Sequence, residues 1–178
     1  NAPVILLPEE WVMTINTDNE PAGCEIDTSV VEVDVPAHPW CRRLLDHWRS
    51  HLQPDGLMMR ADFNPLDMPR LMGGMFVVEP VDGGADMRYR LVGSENEHRL
   101  GRKFTGRLFT ACYGQHMAAD QIAFHNRVMA NKSPACLRGH WVGVDLEHAH
   151  FEAIYLPVRA ATGELQVIGG MYDLANCV

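Results

Sequence analysis

Three histidines have residue types and spacing that could ligate a metal ion. His148 and His150 are two residues apart, so their side chains would share one face of a strand, with His140 across a hairpin. Zinc and iron accept such imidazole pairs when a third ligand joins them. Because His148 falls in a predicted turn, which loosens this geometry, the sequence favours polar surface histidines, and we expect no metal site.

Gly101 and Gly106 resemble half of a phosphate-binding loop. A Walker loop continues with a lysine that contacts the phosphates and a hydroxyl side chain that contacts magnesium. Arg107 and Leu108 stand at those two positions, which excludes that function. The two glycines instead predict a helix end at Gly101 and a turn at Gly106, because glycine readily adopts a positive φ.

The chain has no recognisable sequence motif for nucleophilic catalysis. The five cysteines are odd in number and none has Cys-x-x-Cys spacing, which indicates reduced, buried thiols rather than disulfides or a zinc knuckle. The chain has no Gly-x-Ser-x-Gly or His-Glu-x-x-His sequence. Ser94, with Glu97 three residues later, has the spacing of a helix-capping box. We therefore expect no enzymatic activity.

The net charge of −8 lies entirely in the first 38 residues of the 178-residue chain. Eight of the 23 acidic residues precede Pro39, whereas all 15 Lys and Arg residues follow it. An acidic segment repels phosphate backbones and the neutral remainder has no basic stripe, so we expect no nucleic-acid partner. No apolar run reaches the roughly 20 residues that span a bilayer, so we expect a cytoplasmic protein with no membrane segment.

This change in composition divides the chain into an acidic N-terminal arm over residues 1–38 and a domain over residues 39–178. In the arm, valines at 31, 33 and 35 alternate with acids, which fits an added edge strand or a solvated arm equally well. The domain begins with a helix from Pro39, in which Trp40 and Trp48 lie on an apolar stripe. If that stripe exceeds what the sheet covers, we expect it to form a dimer contact.

Beyond this helix, the predicted elements follow in the order β, β, helices, β, β, β. Asp82-Gly83-Gly84 between two strand-like segments is a strong hairpin signal. In the second segment, Met87, Tyr89 and Leu91 are predicted to share one face. The order predicts an α+β fold with a five-stranded antiparallel sheet and helices over one face. The predicted strands cover 75–79, 87–92, 136–144, 150–159 and 165–172, and the predicted helices lie near 95–100, 108–112 and 115–131.

This succession of elements resembles that of PAS domains. Arg88-Tyr-Arg-Leu-Val-Gly93, followed by Phe104-Thr-Gly106, is similar to the PAS region in which a strand leads into a helix and a tight turn. A bacterial family of short stand-alone PAS-like proteins, of largely unassigned function, is similar in more detail, and the resemblance covers about residues 39–174. The residues that carry it are Pro54, the Arg60-x-Asp62-x-x-Pro65 link, Arg90-Leu-Val-Gly93, Gly101 with Gly106, Leu156-Pro157 and Gly169-Gly170.

The resemblance implies a sensory or interaction module that binds a small molecule or a partner protein and signals through a partner. Many PAS domains dimerise, so we also expect a homodimer. His116 and His125 lie in the region where haem-binding PAS domains carry their ligand, and Cys112 lies near the region of the flavin-reactive cysteine. The flavin motif is absent and a histidine on an apolar face is usually a core residue, so neither haem nor flavin is expected. The sequence leaves the ligand unidentified.

PAS domains enclose a pocket between sheet and helices, and such pockets are typically apolar with a few placed polar groups. His116 and Arg138 are the predicted polar contacts. Alternatively, the same side chains simply fill a close-packed core. The candidate pocket residues are Tyr89, Leu91, Phe104, Phe109, His116, Met117, Arg138, Trp141, Tyr155 and Met171.

A different function remains open as an alternative. A small enzyme on a cone-shaped α+β fold of the ketosteroid-isomerase type would act on an apolar substrate with an Asp/Tyr pair inside the cone. Such chains usually begin with several helices. Here two predicted strands precede the helical middle of the chain, so the order of elements favours the PAS-like module.

Overall fold

The computed structural model describes residues 27–142 and 150–174. The longest described helix has 17 residues, and no helix in these ranges is long and apolar enough to cross a membrane. The strands are β1 (Asp27–Glu32), β2 (Met58–Met59), β3 (Met75–Val81), β4 (Asp86–Val92), β5 (Ala135–Val142), β6 (His150–Arg159) and β7 (Leu165–Asp173). The α-helices are α1 (Pro39–Ser50), α2 (Ser94–Leu100), α3 (Phe109–Cys112) and α4 (Gln115–Asn131).

The strands form one sheet in the order β1-β5-β6-β7-β3-β4, with every neighbouring pair antiparallel, and β2 pairs in parallel with β6. The predicted α+β class and antiparallel sheet are confirmed. The sheet has two strands more than the predicted five. They are the short β2 and the edge strand β1. Strand β1 comes from the segment assigned to the acidic arm, so residues 27–32 extend the sheet along β5.

Helices pack on both faces of the sheet. Alternate residues of β6 show the two faces, since Ala153 and Tyr155 pack in one apolar cluster with α4, whereas Ile154 and Leu156 pack in another with α1. Helices α2 to α4 lie on one face, as expected from the sequence. Helix α1 covers the opposite face, so the prediction that helices cover only one face is wrong.

Helix α1 uses its apolar stripe inside the protomer. The His38 side chain accepts a hydrogen bond from the Trp40 N–H and caps the helix, and Pro39 occupies the first turn. Trp48 is only 5% exposed, and its indole N–H donates to the Pro157 carbonyl at 2.7 Å. The condition for a dimer contact through Trp48 is therefore not met, because the sheet already covers this side chain.

A β-bulge in β4 decides which of its side chains face the interior. Tyr89 lies opposite Val78 and Leu91 opposite Val77, so that β4 carries one extra residue at Arg90. The extra residue reverses the alternation, and Leu91 is 38% exposed. The prediction that Leu91 shares a face with Met87 and Tyr89 is therefore wrong.

Gly101 ends α2 with a φ of 68°, and Gly106 turns the following loop with a φ of 85°, which confirms both predicted roles. The predicted capping box at the start of α2 is wrong. Helix α2 begins after Gly93, and no side chain caps it, because Glu97 is engaged with the loop that follows the helix.

Candidate functional site

A cavity of about 80 Å³ lies between the sheet and helices α2 and α4. Each of the six strands along the sheet contributes at least one side chain to its wall, and so do both helices. Among the described residues that line it, none is Asp, Glu, Lys or Arg. The lining residues are Val30, Phe76, Tyr89, Val92, Asn96, Leu100, Phe104, Tyr113, Met117, Gln121, His125, Leu137, Phe151, Tyr155 and Met171.

Five of the ten residues proposed from the sequence line this cavity, and four lie elsewhere. Phe109 is fully buried behind Tyr89, Leu91 points away beyond the bulge, and His116 is exposed in the first turn of α4. Arg138 is paired with Glu152, away from the lining residues. The side chain of Trp141 lies outside the described residues. The five that line the cavity are Tyr89, Phe104, Met117, Tyr155 and Met171.

The polar side chains of the cavity differ from those predicted. Gln121 and His125 of α4 take the places assigned to His116 and Arg138, and Asn96 and Tyr113 add two further polar groups. The available signal was the four-residue spacing from Met117 through Gln121 to His125, which places all three on one helix face. Polar residues on an otherwise apolar face are therefore the feature to seek in such a helix.

His125 is a neutral imidazole in the cavity wall. It is 2% exposed, and its Nδ1 lies 2.8 Å from the Gln121 carbonyl oxygen. Burial lowers the pKa of His125 to about 4, so the ring is uncharged at neutral pH. A neutral ring that donates from Nδ1 carries an unprotonated Nε2, which can accept a hydrogen bond.

Gln121 supplies an unpaired donor. The residue is 4% exposed, and its Nε2 has no hydrogen-bond partner among the described residues. A buried amide without a partner costs free energy that a ligand or a water molecule can recover. Gln121 and His125 thus bring a donor and an acceptor to the face of α4 that lines the cavity, beside the polar groups of Asn96 and Tyr113.

Glu97 holds another part of the wall in place. Its carboxylate accepts hydrogen bonds from the backbone N–H groups of Phe104 and Thr105, at 3.0 and 3.2 Å, and from Lys103 Nζ at 2.8 Å. Burial opposes the ionised form, but these hydrogen bonds outweigh it and lower the pKa of Glu97 to about 2. The Phe104 ring, which lines the cavity, is thereby fixed to α2.

The family model described as a PAS domain matches residues 37–173, which is most of the chain. The chain belongs to the PAS domain family. Neither a curated protein nor a solved structure matches it. The cavity lies between sheet and helices, where the family resemblance implied a pocket, and the likeness to stand-alone bacterial members stays a prediction.

The PAS domain also places two phenols at the cavity. The hydroxyl groups of Tyr89 and Tyr113 are 2.5 Å apart and share a hydrogen bond. Burial raises the pKa of both phenols, so both remain protonated at neutral pH. Because two O–H groups share one hydrogen bond, one proton is left to donate to a third group.

Haem and flavin do not fit the cavity in this conformation. Its volume of about 80 Å³ is well below the roughly 300–1,000 Å³ of pockets for larger ligands. The lining side chains would have to move apart before either cofactor could enter. Of the two candidate haem ligands, His125 lines the cavity and His116 does not.

The structure describes only two of the three histidines that were weighed as metal ligands and set aside. His140 lies opposite His150 across β5 and β6, with ring centroids 5.6 Å apart, whereas His148 lies outside the described residues. Within residues 27–142 and 150–174, no group of three His, Cys, Asp or Glu side chains could hold a metal ion. The part of the chain that the structure describes thus supplies no third ligand.

The buried thiols of the PAS domain are poorly suited to nucleophilic attack. Cys41, Cys112 and Cys136 are buried and unbridged, and burial raises the pKa of Cys112 and of Cys136, the latter to about 12. The reactive form of cysteine is the thiolate, which is scarce at such pKa values. The isomerase alternative also lacks its carboxylate, because the described lining residues include tyrosines but no Asp or Glu.

Proposed function

We propose that this PAS domain binds a small molecule in the cavity and transmits the bound state to a partner protein. The observation that carries the proposal is the buried, unpartnered Nε2 of Gln121, a residue that lines a cavity with no charged side chain among its described lining residues. An unpaired buried donor costs about 1–3 kcal/mol, which an occupant with an acceptor atom recovers. A domain that served only as a scaffold has no need of such a cavity.

We propose further that the domain has no catalytic activity of its own. Two features support this: the described cavity wall holds no carboxylate or ammonium group, and His125, with a pKa of about 4, is only a weak base. The raised thiol pKa values of Cys112 and Cys136 point the same way. Reduced buried cysteines also support a cytoplasmic location.

Strand β1 is our candidate for the element that reports an occupied cavity. Val30 lines the cavity, and the next residue, Val31, is 60% exposed. The strand lies at the edge of the sheet, and no described strand pairs with its outer side. An occupant that presses on Val30 therefore acts on a strand whose other edge pairs with no strand of the described residues, and a partner strand can add there.

We also propose that the protein forms a homodimer, because many PAS domains dimerise. Since Trp48 is buried within the protomer, the contact in a homodimer must use another surface. Light scattering of the full chain measures the mass directly. We expect the mass of a dimer, and a monomeric mass at the highest concentration reached would remove this part of the proposal.

The first experiment is an absorption spectrum from 250 to 700 nm of freshly purified protein, with mass spectrometry of material released on denaturation. NMR titration with 1-butanol, 2-butanone and benzene then tests the cavity itself. The key variant is Val92→Phe, which fills the cavity, and its matched control is Leu91→Phe, one residue away but outside the wall.

We expect a co-purified compound, or binding of at least one probe, with shift changes at residues of the cavity. Binding should be lost in V92F and retained in L91F, because only the first side chain enters the cavity. Overpacking costs about 1–3 kcal/mol, so urea unfolding must show that V92F is folded. Absence of any ligand and any probe binding, or equal binding by both variants, would overturn ligand binding at this site.

A further inference from the structure

We infer that the cavity selects a small, uncharged aliphatic alcohol, whose single hydroxyl group bridges Gln121 and His125. This inference rests on the proposed ligand-binding function and adds the chemical class of the ligand. Three observations carry it, namely the absence of charge from the described wall, the paired donor and acceptor on α4, and the volume.

The uncharged wall excludes ionic ligands. Transfer of a carboxylate or an ammonium group from water into an apolar cavity is costly unless an opposite charge pairs with it. The described lining residues carry no Asp, Glu, Lys or Arg, and His125 is neutral because burial lowers its pKa. A compound that is uncharged at neutral pH is therefore the class that this wall accepts.

Gln121 and His125 together match a hydroxyl group. They are four residues apart on α4, so they lie on one face of the helix. The Nδ1 of His125 donates to the Gln121 carbonyl, which leaves Nε2 as an acceptor, and the Nε2 of Gln121 is a donor without a partner. A hydroxyl oxygen accepts from Gln121 while its proton is donated to His125. A ketone or an ether can make only the first of these two bonds.

The volume limits the carbon skeleton. The cavity of about 80 Å³ is roughly half of the engineered apolar cavity of about 150 Å³ that binds benzene. Met117 and Met171 line it, and methionine side chains adapt readily to the shape of a neighbour. We therefore expect an alcohol smaller than benzene, of about three to five non-hydrogen atoms.

The test compares four compounds of one chain length, namely 1-butanol, 2-butanone, butyrate and butylamine, by NMR titration of the full chain at pH 7. We expect 1-butanol to bind about fivefold to tenfold more tightly than 2-butanone, the effect of one additional hydrogen bond. Butyrate and butylammonium should not bind measurably. The His125 Nε2 resonance of the unmutated protein should shift with 1-butanol and much less with 2-butanone.

Two variants separate the contributions of the side chains. His125→Phe should reduce the affinity for 1-butanol to that for 2-butanone. Gln121→Leu should lower the affinities for both compounds by similar factors. If H125F does not fold, the Nε2 shift in the unmutated protein decides the question. Equal affinities of the alcohol and the ketone, or a preference for butyrate, would overturn the alcohol inference while ligand binding stands. Failure of all four compounds and of benzene would instead overturn the proposed function, and would leave water as the partner of Gln121.

Discussion

The backbone N–H of Phe104 donates a hydrogen bond of 3.0 Å to the buried carboxylate of Glu97. This bond joins α2 to the loop that carries the Phe104 ring into the cavity wall. The ring then makes an edge contact with Tyr89, with centroids 5.6 Å apart. A single carboxylate on α2 therefore fixes an aromatic wall of the cavity that is seven residues further along the chain.

Replacement Glu97→Gln should lower the free energy of unfolding at pH 7 by about 1–3 kcal/mol, because an amide offers only one acceptor to the donors around Glu97. Folding lowers the pKa of Glu97 from 4.5 to about 2. Its stabilising effect is thus complete above about pH 4.5 and is lost as the pH falls towards 2. Urea unfolding from pH 7 to pH 2.5 measures both effects. The control is Glu95→Gln, an exposed carboxylate of the same helix. Equal losses in E95Q and E97Q would contradict this role.

His125 should make the domain less stable as the pH falls below neutral. The pKa of the buried ring is about 4, against 6.5 for an ordinary histidine. Between these values the unfolded chain binds a proton that the folded protein does not, so stability declines from about pH 6.5 to pH 4. The decline amounts to about 3 kcal/mol. The free energy of unfolding is measured for H125F and for the unmutated protein across this range. It should decline by about 3 kcal/mol less in the variant. His116→Gln, an exposed histidine of the same helix, is the matched control.

The order and the type of the elements could be predicted from the sequence because they depend on local patterns. The hairpin at Asp82-Gly83-Gly84 and the helix end at Gly101 are fixed by backbone preferences of single residues. The bulge at Arg90 has no such local mark. It lies where Tyr89 pairs with β3 on one side and bonds to the backbone of residues 106–107 on the other, and it places Val92 instead of Leu91 in the cavity wall.

The polar groups of the site were harder to predict for a related reason. The spacing of Met117, Gln121 and His125 places them on one helix face, but Gln121 becomes part of a site only when the sheet covers that face, which the spacing alone does not show. Glu97 shows the same limit. Its spacing from Ser94 fits a capping box, yet in the folded protein its carboxylate accepts from donors of residues 103–105, and no side chain caps the start of α2. Tertiary contacts thus decided both roles.

Substitution Trp48→Phe should destabilise the protomer and leave its mass unchanged. The change removes the indole N–H that donates to the Pro157 carbonyl at 2.7 Å and leaves part of a buried volume empty. The expected loss is about 1–3 kcal/mol in urea unfolding. Arg49→Ala, an exposed neighbour in the same helix, should change stability by less than about 0.5 kcal/mol. A folded W48F of altered mass in light scattering would show that Trp48 takes part in a subunit contact after all.

Glu152 is fully buried on β6 and should hold the segment before α1 against the sheet. It accepts hydrogen bonds from the N–H groups of Ala37 and His38, at 2.9 and 2.7 Å, and from the Arg138 guanidinium at 2.8 Å. Burial opposes its ionised form, but these donors outweigh that effect and lower the pKa of Glu152. In Glu152→Gln the amide N–H₂ meets donors instead of acceptors, so we expect a loss of about 2–4 kcal/mol.

Hydrogen exchange at single amides distinguishes this role from general destabilisation. In E152Q the Ala37 and His38 amides should exchange faster by a larger factor than the amides in the centre of β6 and β7, because their acceptor is lost directly. Arg138→Met should have a smaller effect on the same amides, since both backbone donors remain bound to the carboxylate. Glu164→Gln, an exposed carboxylate before β7, serves as the control and should leave the exchange unchanged. If the exchange rates rose by the same factor over the whole sheet, Glu152 would stabilise the fold in general and would not specifically fix the segment before α1.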